Sequence, residues 1–220
     1  MFYKLIIMDS IVDNLEDDKG KKWFTPIKII LSLFLIFLMF VLIFPEYSVK
    51  LDPEPNMDFS VSDVVHNEIE IIDQAIQPES YSEFRFLVKP NDPVIKQTAD
   101  KISSVACNGN KICNAKAIFY FVRDNFDYVN DPAEYEYVKS ARESLVVGVG
   151  DCDDASILLV NLLSAVGIET RMVFIPNHVF VQLRIDDYKQ GKWLNLDPTC
   201  KNCRFNELPY QDSKEILEIV

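Results

Sequence analysis

The chain has 220 residues, 49% apolar and 25% charged, with a formal charge of −12. These are globular values, and they exclude disorder, collagen-like repeats and low-complexity architecture as its organising principle. With 34 acidic against 22 basic side chains it repels phosphate backbones, which argues against nucleic acid as a partner.

The first element in chain order is apolar. Residues 29–44 read IILSLFLIFLMFVLIF, with one Ser and no charge. Extended to 27–47, the run reaches the length of about twenty residues that a helix needs to cross a bilayer core. It has no polar face at helical spacing, unlike the half-buried helix of a soluble protein. A cleavable signal peptide also has an apolar core, but no small-x-small cleavage site follows, only Pro45-Glu46-Tyr47-Ser48. Lys19, Lys21, Lys22 and Lys28 precede the run, and only Lys50 follows closely. The positive-inside rule therefore expects a cytoplasmic tail over 1–26, a single-pass transmembrane helix over 27–47 in the cell membrane, and an extracytoplasmic remainder. Beyond residue 44 there are 17 basic and 29 acidic residues, so the whole −12 resides there.

Residues 48–90 read as a linker and N-terminal extension, rich in Pro and acidic residues at its start. Within it VVHNEIEIIDQAI (64–76) suggests a short helix, and EFRFLVK (83–89) alternates like a strand. A domain is expected over 91–220. Asn91-Asp92-Pro93 is a helix start, with Asp92 as cap and Pro93 in the first turn. A second helix is expected from Lys111 to Asp127, before Asp131-Pro132 breaks it. Gly150-Asp151-Cys152-Asp153-Asp154 then opens ASILLVNLLSAV, a helix so apolar that it must be buried on most sides, and Gly167 ends it. Strand-like runs follow at 168–175, 178–185 and 192–197, with turn chemistry at Asp186-Asp187 and Gln190-Gly191. Helices followed by an antiparallel meander are an α+β signature.

Three residues in this stretch carry chemistry. Cys152 stands in the first turn of the buried helix, where free N–H groups and the helix dipole favour a thiolate. His178 opens one strand and Asp197 ends the next, positions that an antiparallel pair makes neighbours. Asp197 then holds one imidazole nitrogen and the other faces the sulfur: nucleophile, base and orienting acid. Asp151, Asp153 and Asp154 act against the thiolate by like-charge repulsion, unless Asp151 caps the helix and the others turn away to partners. Each residue alone has a plain structural reading, as a small core cysteine, a strand-start histidine or a turn aspartate. Their order and placement together point to catalysis.

The segments GDCDDASILLVNLLSAVGIETRMV, NHVFVQL and WLNLDPT, with the upstream IFYFVRDNFDYVND, resemble the transglutaminase-like superfamily. The resemblance covers roughly residues 92–205. It implies an α+β transglutaminase-like, papain-like core with Cys152 as nucleophile, His178 as general base and acid, and Asp197 as its orienting partner. It further implies thiol chemistry on amide bonds of proteins or peptides through an acyl-enzyme, resolved by water or by an amine, with hydrolysis mildly favoured. No cofactor is expected, and the calcium sites of animal transglutaminases have no match. A non-catalytic binding or scaffold module at the cell surface is the competing reading.

Four other cysteines remain. Cys107 and Cys113 bracket a Gly-Asn loop, and Cys200 and Cys203 form a C-x-x-C just after Asp197-Pro198-Thr199. Outside the cytoplasm disulfides are expected. Two local pairs would leave Cys152 as the free thiol, but four cysteines allow three connectivities, and a structural zinc held by all four is a rival.

Overall fold

The computed structural model describes residues 26–43, 52–65, 77–131, 137–210 and 215–220. The chain divides into two units, Met1–Leu51 and Asp52–Val220. In the first, α1 (Pro26–Ile43) is an 18-residue helix of mean hydropathy 2.8, long and apolar enough to cross a membrane, as a signal sequence also is. It matches the expected 27–47 span as far as Ile43; residues 44–47 lie outside the described residues, as does the tail before Pro26.

The second unit contains, in order, α2 (Val61–Val64), a 3-10 segment (Tyr81–Leu87), α3 (Pro93–Ala106), α4 (Lys111–Asn125), β1 (Asp127–Tyr128), α5 (Ala141–Val147), β2 (Val149–Gly150) and α6 (Cys152–Ala165). Strands β3 (Glu169–Ile175), β4 (His178–Arg184), β5 (Leu194–Leu196) and β6 (Glu218–Ile219) complete it. The last four form one antiparallel sheet in the order β5-β4-β3-β6, while β1 and β2 pair in parallel beside it.

Helix α6 organises this unit. Ile157, Leu159, Leu162 and Leu163 are fully buried, and so are Ala155, Ser156 and Asn161. A helix apolar on all sides has to be enclosed: α6 packs on β3 and β4 and against α3, α4 and α5. The strands alternate with period two. Met172, Phe174, Val179, Val181 and Leu183 face the main core, whereas Val173, Ile175 and Phe180 face the other way and are covered by Leu208 and Tyr210. Asp92 caps α3 by accepting from the Val94 and Ile95 amides, with Pro93 in the first turn. Gly167 takes the left-handed conformation (φ +73°) past the end of α6.

Two expectations are corrected. Residues 83–89 form no strand; Tyr81–Leu87 is a 3-10 segment that buries Phe84 and Leu87 three residues apart, the period of that helix. Its end is tied to the buried Asn161, which accepts from the Lys89 amide (2.6 Å) and donates to the Leu87 carbonyl (3.1 Å), groups that a strand would offer to a neighbour. The second helix stops at Asn125, because Asp127 and Tyr128 pair with Val149 and Gly150. The helix expected over 64–76 coincides with the described residues only at Val64 and Val65, and the rest lies outside them.

The four paired cysteines form Cys107–Cys113 and Cys200–Cys203, leaving no thiolates for a zinc site, and Cys152 is free.

If α6 sets the core, Leu159→Ala should lower the unfolding free energy by about 2–5 kcal/mol, by transfer and cavity costs together. Denaturant unfolding measures this, and a loss below about 1 kcal/mol would contradict the arrangement.

Candidate active site

The site begins where α6 begins. A Cβ on Gly150 would lie 2.2 Å from the Asp154 Oδ2, so only glycine leaves room for that carboxylate. Asp154 is fully buried; it accepts from the Lys139 amide (2.7 Å) and pairs with the Lys139 ammonium (2.5 Å). Burial, opposed by Lys139, pushes its carboxyl up to about 6. Asp151 caps the helix by accepting from the Asp154 amide at 3.4 Å, and the Asp153 carboxylate accepts from the same amide at 2.8 Å. The acidic run is thus divided: one residue caps, one turns away to a lysine, and Asp151 and Asp153 stay beside the cysteine. The three aspartates bring carboxylate oxygens within 4.8 Å of one another. With Asp154 committed to Lys139, the cluster offers a cation two carboxylates.

Cys152 is half-buried. Burial first, then the charges of Asp151 and Asp153, push its thiol up to about 12, against the lowering effect of the Val179 and Cys152 amides. The thiolate expected from the helix end is therefore not the resting form: dehydration of the sulfur and two neighbouring carboxylates outweigh the dipole.

His178 and Asp197 meet as the strand order predicts. The His178 Nε2 lies 2.8 Å from the Asp197 Oδ2, which leaves Nδ1 free on the other side of the ring. Asp197 follows β5 and is nearly wholly buried. Burial works against its charge, but hydrogen bonds from His178 and Thr199 prevail and hold the carboxyl below its ordinary value. Thr199 supplies both its amide (3.0 Å) and its hydroxyl (2.7 Å) to the Asp197 Oδ1. The His178 ring is braced edge-on by Tyr210, centroids 5.7 Å apart.

Cys152 and His178 line one open cleft of about 320 Å³, which Asp151, Asp153, Asn177 and Val179 also border. Asp197 stands behind the imidazole and borders no part of it. Residues that the sequence did not single out complete the lining: Tyr81, Phe84, Tyr128, Asn130, Phe174 and Ile175. The Tyr128 hydroxyl donates to the Asn130 side chain at 3.0 Å. Of the supporting residues, only Thr199 left a trace in the sequence, since Asp-Pro-Thr is a turn in which an aspartate accepts from the amide two residues on.

The Lys139–Asp154 pair yields a pH prediction. An acid whose folded pKa is raised weakens the fold when ionised, and that penalty fades as pH falls through the raised value. Lys139→Met strands a buried carboxylate and should cost about 3–5 kcal/mol at pH 8. Without the lowering effect of Lys139, the variant's Asp154 should bind its proton above about 6, so the cost should shrink as pH falls towards 6 and be small at pH 5. Equilibrium unfolding of both proteins at pH 5 and pH 8 measures this, and a pH-independent loss would contradict it.

Residues 96–198 match the family profile of the Transglutaminase-like superfamily. No curated protein is significantly similar in sequence. Among solved structures, a candidate cysteine protease from Cytophaga hutchinsonii is 20% identical with a TM-score of 0.41, covering 55% of this chain and 43% of that one. A candidate protease from Parabacteroides distasonis is 19% identical with a TM-score of 0.39, covering 46% of this chain and 22% of that one. Calcium-bound LapG of Legionella pneumophila is 22% identical with a TM-score of 0.37, covering 64% and 83%. The chain thus spans less than half the length of the first two. The stretch that holds Cys152, His178 and Asp197 is the stretch, 96–198, that matches the transglutaminase-like superfamily, just under half of the chain.

Proposed function

We propose that the chain is a membrane-anchored thiol enzyme acting on amide bonds of proteins or peptides, with Cys152 as nucleophile, His178 as general base and acid, and Asp197 as the group orienting His178. The observation that carries this reading is a single cleft bordered by both Cys152 and His178, with the imidazole fixed from behind by Asp197 at 2.8 Å. Because the resting thiol holds its proton, the sulfur is activated as it attacks. The proton passes from Sγ to the free Nδ1 of His178 while the S–C bond forms. The amide C–N bond then breaks and the leaving amine takes that proton. A water, deprotonated by His178, releases the acyl group from sulfur and restores the thiol. An amine in place of water would give a crosslink, and we favour water. Helix α1 would anchor the enzyme with the tail over 1–26 in the cytoplasm and the domain outside, a placement that suits two disulfides.

A second reading, a non-catalytic binding or scaffold module, is favoured by one observation: a thiol pushed up to about 12 is a poor nucleophile by itself. Activity separates the two. Incubated with unfolded casein, the detergent-solubilised chain should release peptides, and Cys152→Ala or His178→Ala should lower the rate at least about a thousandfold, since such groups act as a unit. Added dansylcadaverine should be incorporated more slowly than peptide bonds are cut. Cleavage retained in Cys152→Ala would exclude this mechanism, and cleavage by none of the proteins would favour the scaffold.

A further inference from the structure

One wall of the cleft comes from outside the family match. Tyr81 and Phe84 belong to the 3-10 segment that precedes residue 96, and they lean on the end of β3. The Tyr81 ring stacks on Phe174 with centroids 4.6 Å apart, and Phe84 meets Phe174 edge-on at 5.0 Å. Phe84 and Phe174 are nearly buried and form a floor, while Tyr81 is 43% exposed and forms a rim. The segment cannot drift from the sheet, because Asn161 on α6 grips the Leu87 carbonyl and the Lys89 amide. Most of the remaining lining has the opposite character: Tyr128, Asn130, Asp151, Asp153 and Asn177, with no lysine or arginine among the described residues.

We infer that Tyr81, Phe84 and Phe174 form a preformed subsite for an aromatic or large aliphatic side chain of the peptide whose carbonyl meets Cys152. This rests on the reading of Cys152 as nucleophile. A peptide is the occupant that satisfies both halves of the cleft, its backbone meeting the polar side and one apolar side chain meeting the rings. Aromatic floors gain from ring stacking as well as from burial of apolar area, and this one needs no rearrangement to receive its guest. Selectivity here is therefore set by a segment outside the family match, while the chemistry is set by the matched stretch.

The test uses detergent-solubilised full-length protein and three alkylating probes: iodoacetamide, N-phenethyl-iodoacetamide and N-(2-hydroxyethyl)-iodoacetamide. Labelling of Cys152 is followed by mass spectrometry, and each rate is divided by that probe's rate with glutathione. The phenethyl probe should outpace the hydroxyethyl probe by about tenfold. That ratio should collapse towards one in Tyr81→Ala and persist in Tyr81→Phe, with thermal unfolding confirming that both variants fold. Brisk iodoacetamide labelling without a phenethyl preference, or a preference that survives Tyr81→Ala, overturns the subsite alone. Labelling by every probe no faster than in His178→Ala overturns the nucleophile reading and the subsite with it.

Discussion

A helix with no polar side can exist only if something surrounds it, and α6 imposes that demand on the whole second unit. Three helices and two central strands meet it, which fixes where the sheet lies. The consequence for chemistry lies at the helix start. Cys152, the first residue of α6, comes just after β2 and is held beside the beginning of β4, where the Val179 amide acts on the sulfur. Gly150 makes room for the Asp154 carboxylate that Lys139 holds, so the place of Cys152 is an outcome of core packing.

The same burial sets the electrostatics. A sulfur brought out of water beside two carboxylates keeps its proton, whatever the helix dipole contributes. The imidazole has the opposite arrangement: its carboxylate partner is buried, doubly bonded by Thr199 and held ionised. On the proposed mechanism, the Cys152 thiol keeps its proton at rest and gives it up during attack. This also explains why removing the histidine should matter more than any change at the helix end.

Much of this was legible in the sequence, for reasons that differ by element. Helix α6 showed itself by an unbroken apolar run, and β3, β4 and β5 by alternation between turn residues. Once those were placed, antiparallel pairing brought His178 beside Asp197. The segment 83–89 misled because Phe84 and Phe86 alternate with Glu83 and Arg85, whereas its conformation is decided by Asn161, seventy-odd positions away. The sequence offered Asp151 as a cap, but that Asp154 alone turns away while Asp153 stays was hidden, because it depends on Lys139, in a stretch with no periodic signal. Tyr81 and Tyr128 were missed for a related reason: a cleft wall is assembled from distant segments, and no local pattern marks its members.

The central claim is that His178, held by Asp197, makes Cys152 reactive despite a thiol that burial would otherwise silence. Its most direct measurement is the rate of iodoacetamide alkylation at Cys152 near pH 7, followed by mass spectrometry without reductant, in the wild type and in His178→Ala. The account predicts labelling slower by about two orders of magnitude or more in the variant. Equal rates in the two proteins would contradict it and leave Cys152 as a packing residue in a binding module.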